Sequence, residues 1–139
     1  MIMISILSKE NVTVFREQDV VPLRNRVKEA AVKVGMGIVN QTKLITAASE
    51  LVRNMLRYGG GGEVLIEIIS EGRDNGVRLT FADKGPGIAN IELAMQDGFT
   101  TGKSLGLGLP GTRRLVSKFE ISSTVGLGTT VQIIKWKNG

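Results

Sequence analysis

The sequence predicts an α+β fold, a two-layer sandwich in which helices cover one face of a mixed β-sheet. Two observations lead to this prediction. Short β-branched segments near both ends and in the middle of the chain are typical of strands, and two longer segments carry apolar residues at helical spacing. The predicted order of elements is ββααββ(α)αββ, and the length of 139 residues fits a single domain covering residues 1–139.

The N-terminal part is predicted to form two strands and a helix. Ile2–Leu7 and Val12–Arg16 alternate well enough to be strands that can pair with each other. Asp19 is in position to cap the helix, with Pro22 in its first turn, and Gly35 follows the last apolar residue. The apolar stripe of this helix consists of Leu23, Val27, Ala30, Ala31 and Val34.

A second helix is predicted from Asn40, which can serve as its cap, to about Tyr58, with Gly59 as its stop. The spacing of the apolar residues in this segment predicts one buried face. That face consists of Leu44, Ala47, Ala48, Leu51 and Met55.

Two β-branched strands are predicted next, over Glu63–Ser70 and Val77–Ala82, and the turn-rich segment Glu71–Gly76 joins them as a hairpin. The last third of the chain is predicted to contain five further elements. In order, these are a short helix over Asn90–Asp97, a loop over Gly98–Gly108, a helix over Pro110–Phe119 with Leu115, Val116 and Phe119 facing inward, and strands over Glu120–Thr124 and Thr129–Trp136.

The composition excludes several kinds of chemistry. Because the chain has no Cys and no His, it cannot form disulfides, use a thiolate nucleophile, bind zinc through these residues or carry a phosphohistidine.

The longest uncharged stretch, Ile121–Ile134, has 14 residues, whereas a membrane-spanning helix needs about 20. The first residues lack the basic lead and the cleavage site of a signal peptide. We therefore expect a cytoplasmic protein with no membrane partner.

The positive charge is concentrated at the C-terminal end. Residues 100–139 account for the whole net charge of +5, with six basic side chains against Glu120 alone. Such a segment attracts nucleic acid, an acidic protein surface or the phosphates of a nucleotide, or is simply a solvated face. Because only 4% of the residues are aromatic, there is little to stack on bases, and nucleic acid is not expected as a partner.

Two glycine-rich segments resemble nucleotide-binding motifs, but their surroundings do not fit those motifs. Gly98–Ser104 is one residue too short for a Walker A loop, and a predicted helix rather than a strand precedes it. Gly106–Gly111 satisfies the dinucleotide-binding expression G-x-G-x-x-G. However, no strand precedes it, and Glu120 is far closer than the acidic residue expected about 20 positions downstream.

Four other segments form a consistent set, of which two carry acidic and amide side chains. Glu50 and Asn54 are spaced i and i+4 on the second predicted helix, so both side chains project from one face. The carboxylate can take a proton and the amide oxygen can ligate Mg²⁺, although a solvated helix face produces the same spacing. Asp83 follows a predicted strand and precedes Gly85 and Gly87, which places a carboxylate beside bare backbone. This carboxylate can accept a hydrogen bond from the exocyclic amine of adenine, or it can form an Asx turn.

The other two segments are rich in glycine. Gly102–Gly108, which contains Lys103 and Gly106, leads into a helix start, where free N–H groups and the helix dipole favour a polyphosphate. Gly126–Thr130 is a tight turn that enters the last strand and places its two threonine hydroxyls near the same pocket.

In this order, the four segments resemble the N, G1, G2 and G3 boxes of the GHKL (Bergerat-fold) ATP-binding superfamily, and the resemblance covers about residues 12–136. The short length and the run Gln96–Leu115 are similar to the bacterial anti-sigma-factor serine/threonine kinases. The ending Ile133–Lys137 looks most like the RsbT switch kinases of the stressosome, with the RsbW/SpoIIAB anti-sigma branch as the alternative.

The resemblance implies an ATP-dependent kinase that phosphorylates Ser or Thr on STAS-domain antagonist proteins of the RsbS or RsbR type. It also implies that the released kinase binds and activates a PP2C-type phosphatase of the RsbU type. The alternative is an anti-sigma factor or a nucleotide-gated binding module with little transfer activity.

The resemblance also implies a role for each matching residue. Glu50 would be the general base, and Asn54 would ligate the Mg²⁺ that bridges the phosphates of ATP or ADP. Asp83 would recognise adenine, with Gly85 and Gly87 allowing close approach. The lid over the phosphates would comprise Gly102, Lys103, Gly106 and Gly108, and Thr129 would support the water network around adenine.

Overall fold

The computed structural model of the protein describes residues 3–96 and 108–139. Its elements in chain order are β1 (Ile4–Val14), a 3-10 turn (Glu17–Asp19), α1 (Val20–Lys33), α2 (Ile38–Gly59), β2 (Gly62–Glu71), β3 (Asp74–Asp83), α3 (Ile91–Ala94), α4 (Gly108–Leu115), β4 (Lys118–Thr124) and β5 (Gly128–Trp136). The five strands form one sheet, and the predicted two-layer α+β fold is confirmed. No helix within the described ranges is long and apolar enough to cross a membrane.

The strands lie in the order β1-β2-β3-β5-β4, and each neighbouring pair is antiparallel. The described sheet is thus antiparallel rather than mixed as predicted, and the connections explain the difference. Because α1 and α2 form a helical hairpin, they return the chain to the end of the sheet at which β1 stops, where Val14 pairs with Gly62. The β2–β3 and β4–β5 connections are β-hairpins, which also reverse the strand direction.

The core lies between the helices and one face of the sheet. Alternate residues of the central strands face the helices, among them Leu79 and Ile133, which pair across β3 and β5 and are fully buried. Burying an apolar side chain of this size stabilises the fold by roughly 1.5–3 kcal/mol. The predicted helical stripes are confirmed, since every one of their residues is buried: Leu23, Val27, Ala30, Ala31, Val34, Leu44, Ala47, Ala48, Leu51 and Met55.

The N-terminal strand differs from the prediction of two short strands paired with each other. β1 runs from Ile4 to Val14 and pairs with β2 along its length, with one register irregularity between Ile6 and Ser8. Residues 8–11 are largely polar and carry no strand pattern of their own. Their conformation is therefore decided by the partner strand rather than by local propensity.

The two predicted helix caps serve other purposes. Asp19 precedes α1, but its carboxylate accepts hydrogen bonds from the N–H groups of Phe15 and Arg16, each at 3.0 Å, and makes none to the helix. Asp19 therefore closes the turn between β1 and α1. α2 begins before Asn40, whose side chain instead donates a hydrogen bond to the carbonyl oxygen of Lys137 at 3.1 Å.

α2 ends at Gly59, one residue later than predicted, and Gly60 rather than Gly59 forms the stop, in the left-handed conformation with φ of 76°. The next connection is tighter than predicted. Strand pairing extends to Glu71 and Asp74, which leaves a two-residue turn with Gly72 at positive φ. Glycine at the first position of such a turn matches the right-handed twist of the two strands.

The predicted helix over residues 90–97 is shorter in the structure. α3 covers only Ile91–Ala94, and the Asn90 side chain caps it by accepting a hydrogen bond from the N–H of Leu93 at 3.0 Å. The predicted loop over residues 98–108 lies outside the described residues, except for Gly108, which begins α4.

The helix predicted to end at Phe119 ends earlier. α4 stops at Leu115, and Phe119 lies in β4, where it pairs with Ile133 of β5. The predicted inward orientation is nevertheless confirmed, because Leu115, Val116 and Phe119 are partly buried against the core.

Replacing Asp19 with Asn is expected to lower the melting temperature at neutral pH, because an amide oxygen accepts the two backbone hydrogen bonds more weakly than a carboxylate does. These bonds, first that of Phe15 and then that of Arg16, lower the pKa of Asp19 below its ordinary value. The stabilisation is therefore present above the unfolded pKa of about 3.9 and is lost as the pH falls through the folded pKa.

Thermal unfolding followed by circular dichroism between pH 7 and pH 3 tests this expectation. The melting temperatures of wild type and Asp19→Asn should converge at the acid end. The exposed neighbour Glu17 provides a control as Glu17→Gln, for which we expect no such convergence. A constant difference between wild type and Asp19→Asn over the whole range would contradict the assignment.

Candidate functional site

The carboxylate of Asp83 is held at the end of β3 by two backbone N–H groups. Gly85 donates to its Oδ1 atom at 2.9 Å, and Thr129 of β5 donates to the same atom at 3.2 Å. The first bond is the Asx-type turn that the sequence left as an alternative. Within the described residues, no hydrogen bond occupies Oδ2. One oxygen is thus fixed by the protein, and the other is available to a ligand.

Glycines let three segments close on Asp83. A Cβ atom on Gly59, the last residue of α2, would lie 2.5 Å from Asp83 Oδ2. A Cβ on Gly85 would lie 2.6 Å from the Cα atom of Gly59, and a Cβ on Gly128 would collide with the carbonyl oxygen of Asp83. The end of α2, the loop after β3 and the start of β5 therefore meet around one carboxylate, with bare backbone on each side.

The loop after Asp83 is also fastened to the β4–β5 hairpin. Gly87 has φ of 80°, and a Cβ there would lie 2.5 Å from the carbonyl oxygen of Thr124. Gly126 donates its N–H to the carbonyl oxygen of Pro86 at 2.8 Å. These contacts allow only glycine at position 87.

Thr129 lies beside Asp83, as predicted, but the second threonine of the turn does not. Successive residues of a strand face opposite sides of the sheet. Thr129 pairs with Ser123 on the helix-covered side, whereas Thr130 pairs with Ala82 and Ser122 and faces away. The expectation that both hydroxyls reach the pocket is therefore wrong for Thr130.

Glu50 and Asn54 lie on one face of α2, as predicted from their spacing, and both are partly buried. The side chain of Glu50 is 14% exposed, and its Oε1 atom lies 3.6 Å from Nη1 of Arg53. Within the described residues, no hydrogen bond or ion pair joins Glu50 or Asn54 to Asp83. The link is α2 itself, whose last residue, Gly59, is about 13.5 Å along the axis from Glu50 at the helical rise per residue.

Three of the predicted binding residues, Gly102, Lys103 and Gly106, lie outside the described residues. Gly108 lies at the start of α4 with φ of 70°, and its carbonyl oxygen accepts a hydrogen bond from the buried hydroxyl of Thr112 at 2.9 Å. α4 packs against α2, which carries Glu50 and Asn54.

The donor set suits a magnesium ion that is bound mainly through phosphates. In residues 3–96 and 108–139, no group of three or more acidic side chains could hold a metal ion by itself. Mg²⁺ in nucleotide sites keeps few protein ligands, often one or two side chains, with phosphates and waters completing the octahedron. A single amide oxygen, that of Asn54, beside the carboxylate of Glu50 fits this requirement.

Three contributors to the site were not predicted as such: Gly59, Gly128 and Ser123. The sequence marks the first two within glycine clusters, but their proximity to Asp83 depends on how α2 and β5 pack around β3. Ser123 of β4 accepts the N–H of Ile88 at 2.7 Å. Nothing in its local sequence indicates this contact.

Comparison with known proteins identifies the family. Residues 39–138 match the family described as histidine kinase-, DNA gyrase B- and HSP90-like ATPases. The chain therefore belongs to this family of nucleotide-using proteins, and the GHKL resemblance is confirmed.

Within the family, the chain is 41% identical over 125 residues to the serine/threonine-protein kinase RsbT of Bacillus subtilis (strain 168). This alignment covers 90% of this chain and 94% of that protein. It is 39% identical over 101 residues to the anti-sigma F factor of Anoxybacillus flavithermus, in an alignment that covers 68% of each chain.

A solved structure supports the fold. The crystal structure of the RsbU and RsbW domains of Rv1364c from Mycobacterium tuberculosis superimposes with a TM-score of 0.64 at 18% sequence identity. The match covers 92% of this chain and 32% of that longer one. At this identity the likeness concerns the fold alone.

Gly59→Ala is expected to weaken nucleotide binding about tenfold or more, because the added methyl group would lie against Oδ2 of Asp83 and displace the carboxylate. Helix stability should not fall, since alanine is favoured over glycine within a helix by about 1 kcal/mol. Titration with a fluorescent ATP analogue measures the affinity. Gly37→Ala is the matched control, because nothing lies within 4 Å of a Cβ at Gly37. Equal affinities of the two variants would contradict the expectation that Asp83 contacts the nucleotide.

Proposed function

We propose that this chain is an ATP-dependent serine/threonine protein kinase whose substrates are STAS-domain antagonist proteins of the RsbS or RsbR type. The observation that carries the proposal is the 41% identity to a serine/threonine-protein kinase over 94% of that protein's length. The arrangement around Asp83, with one oxygen held and one free, supports the nucleotide-binding half of the proposal. The kinase unit is residues 1–139, and its compartment is the cytoplasm.

In the proposed complex, the free Oδ2 atom of Asp83 accepts a hydrogen bond from the exocyclic amine of adenine. Gly85 and Gly87 are proposed to let the base approach the backbone of the loop, which packs against the end of α2 and the β4–β5 hairpin so closely that a side chain at either position would collide with main chain. The backbone N–H of Thr129 binds the same carboxylate, and the Thr129 hydroxyl is proposed to support the water network around the base. The segment that contains Gly102, Lys103, Gly106 and Gly108 is proposed to close over the phosphates.

The proposed chemistry takes place further along α2. The carboxylate of Glu50 accepts the proton of the substrate Ser or Thr hydroxyl as its oxygen attacks the γ-phosphorus, and ADP leaves. Asn54 would hold Mg²⁺, which when bound neutralises charge on the phosphates. Phosphoryl transfer depends mainly on positioning and electrostatics, so a site with one base and few ligands is sufficient.

We propose a second role for the released kinase, which is to bind and activate a PP2C-type phosphatase of the RsbU type without phosphorylating it. Protein surfaces, rather than nucleic acid or a membrane, are thus the proposed partners. Surface contact with another protein and phosphoryl transfer are separable functions, so variants of Glu50 should lose transfer while retaining activation of the phosphatase.

The similarity to anti-sigma F factors favours a second candidate function, in which nucleotide controls the capture of a sigma factor and transfer is secondary. Pull-down experiments in the presence of ATP, of ADP and of neither separate the two candidates. Capture of a sigma factor without phosphate incorporation into a STAS protein would favour this second function.

The direct test of the proposed kinase is incubation with labelled ATP and purified STAS-domain proteins, followed by mass spectrometry of the modified residue. Phosphate on a single Ser or Thr of one STAS protein is the expected result. Absence of incorporation into every STAS protein tested, with ATP bound, would contradict the kinase assignment.

Glu50→Gln is expected to reduce the rate of phosphoryl transfer by about 10²- to 10⁴-fold, which is the usual contribution of a general base. The affinity for ATP should change less than about threefold, because the amide preserves the shape of the side chain. Single-turnover transfer and ATP titration measure the two quantities. Glu120→Gln, on the exposed side of β4, is the control and should transfer normally. Undiminished transfer by Glu50→Gln would remove the base assignment.

Asn54→Ala is expected to weaken the binding of ATP in the presence of Mg²⁺ by about tenfold or more, since the loss of even an outer-shell partner of a metal site typically costs 10- to 100-fold. In the presence of EDTA, the affinities of wild type and variant should agree. Isothermal titration under both conditions measures this difference. Asn11→Ala, at an exposed position of β1, serves as the control. An equal loss of affinity with and without Mg²⁺ would show that Asn54 contacts something other than the ion.

A further inference from the structure

The hydroxyl of Ser123 lies at the centre of three hydrogen bonds that connect separate parts of the site. Its Oγ atom lies 2.7 Å from the backbone nitrogen of Ile88, 3.1 Å from the carbonyl oxygen of Gly128 and 2.7 Å from the hydroxyl oxygen of Thr129. The side chain is partly buried on β4. Ser123 thus joins the loop after Asp83 to the first residues of β5.

The direction of each of these hydrogen bonds follows from the partners. A serine hydroxyl has one proton to donate and two lone pairs that accept. The N–H of Ile88 can only donate, so one lone pair of the Ser123 oxygen accepts its hydrogen. The carbonyl of Gly128 can only accept, so it receives the Ser123 proton. The second lone pair of Ser123 then accepts the proton of Thr129, which is the only arrangement that satisfies all three contacts.

This arrangement determines what Thr129 offers to a ligand. Because its proton is directed to Ser123, the Thr129 hydroxyl presents only lone pairs to the pocket. The backbone N–H of Thr129 is also engaged, at Oδ1 of Asp83, which leaves Oδ2 as a second acceptor. The pocket therefore presents acceptors from two residues and calls for a ligand group that donates hydrogen bonds, either directly or through water.

We propose that Ser123 is a positioning residue that sets the preference for adenine by holding Thr129 as a hydrogen-bond acceptor beside Asp83. The inference rests on the proposed binding of ATP. An exocyclic amine carries two hydrogens and can donate to both acceptors of such a pair. A purine with a carbonyl at the same ring position presents an acceptor there and keeps only the N–H of the adjacent ring nitrogen as a donor. A site built to pair with a donor strongly rejects an analogue that lacks it.

Binding of ATP and of inosine triphosphate, which differ in this amine and carbonyl and in the proton on the adjacent ring nitrogen, tests the proposal. Wild type is expected to favour ATP by about 100-fold or more. In Ser123→Ala, the Thr129 hydroxyl is free to turn its proton toward the ligand. The affinity for ATP should therefore fall about tenfold, while that for inosine triphosphate holds or rises, so that the preference for ATP falls by about tenfold or more.

Two variants separate positioning from general stability. Ser123→Thr retains the hydroxyl and should keep the wild-type preference for ATP over inosine triphosphate. Ser122→Ala, at the exposed neighbouring position that faces the other side of the sheet, should leave both affinities unchanged. Thr129→Val, which removes the acceptor while leaving Ser123 in place, should lower the preference as Ser123→Ala does, and it provides the readout if Ser123→Ala fails to fold.

The outcomes distinguish the inference from the function on which it rests. Wild type that binds neither nucleotide overturns the proposed function and the inference together. Wild type that prefers ATP, with the same preference in Ser123→Ala or in Thr129→Val, overturns the inference alone. Equal losses of both affinities in Ser123→Ala, together with a lowered melting temperature, assign the hydroxyl a purely structural role and also overturn it.

Discussion

Two backbone N–H groups that share one oxygen of Asp83 determine how the rest of the site is arranged. One comes from the loop that follows β3, and the other comes from β5, which is the neighbour of β3 in the sheet. Because both bonds end on Oδ1, the carboxylate cannot rotate without losing them, and Gly59 at the end of α2 packs so closely that a Cβ there would lie 2.5 Å from Oδ2. Hydrogen bonds to a charged acceptor are about twice as strong as neutral ones, so this small cluster fixes three elements at once.

Helix α2 relates this cluster to the proposed chemistry. Its apolar stripe packs on the sheet, its last residue touches Asp83, and Glu50 and Asn54 occupy the edge of the same helix further back. The proposed recognition of the base and the proposed transfer of the phosphoryl group are thus assigned to the end of α2 and to a position about two to three turns earlier on the same helix. The distance between them is set by the helical rise rather than by loops, which suits a reaction that depends on positioning.

The parts of the molecule that the sequence predicts are those in which local pattern and tertiary environment agree. The buried stripe of α2 is predictable because the helical spacing of its apolar residues indicates which face is buried. Asp83 is predictable because it ends a strand and is followed by glycines. The middle of β1 is not, because polar residues 8–11 become a strand only by pairing with β2. Ser123 is not predictable for a similar reason: its contacts with Ile88 and Thr129 depend on strand register and on the path of a loop far away in the chain.

The strand order has a consequence for how the protein responds to heat. Among the described strands, β4 lies at the edge of the sheet with β5 as its single neighbour. Its hairpin with β5 supplies Ser123 and Gly126, which hold the loop after Asp83. Edge segments open at lower free energy than a buried core does. Substitutions that tighten packing under α2 would consequently raise thermal resistance without sharpening the proposed selection of the base, since the proposal places that property in a peripheral hairpin with its own local equilibrium.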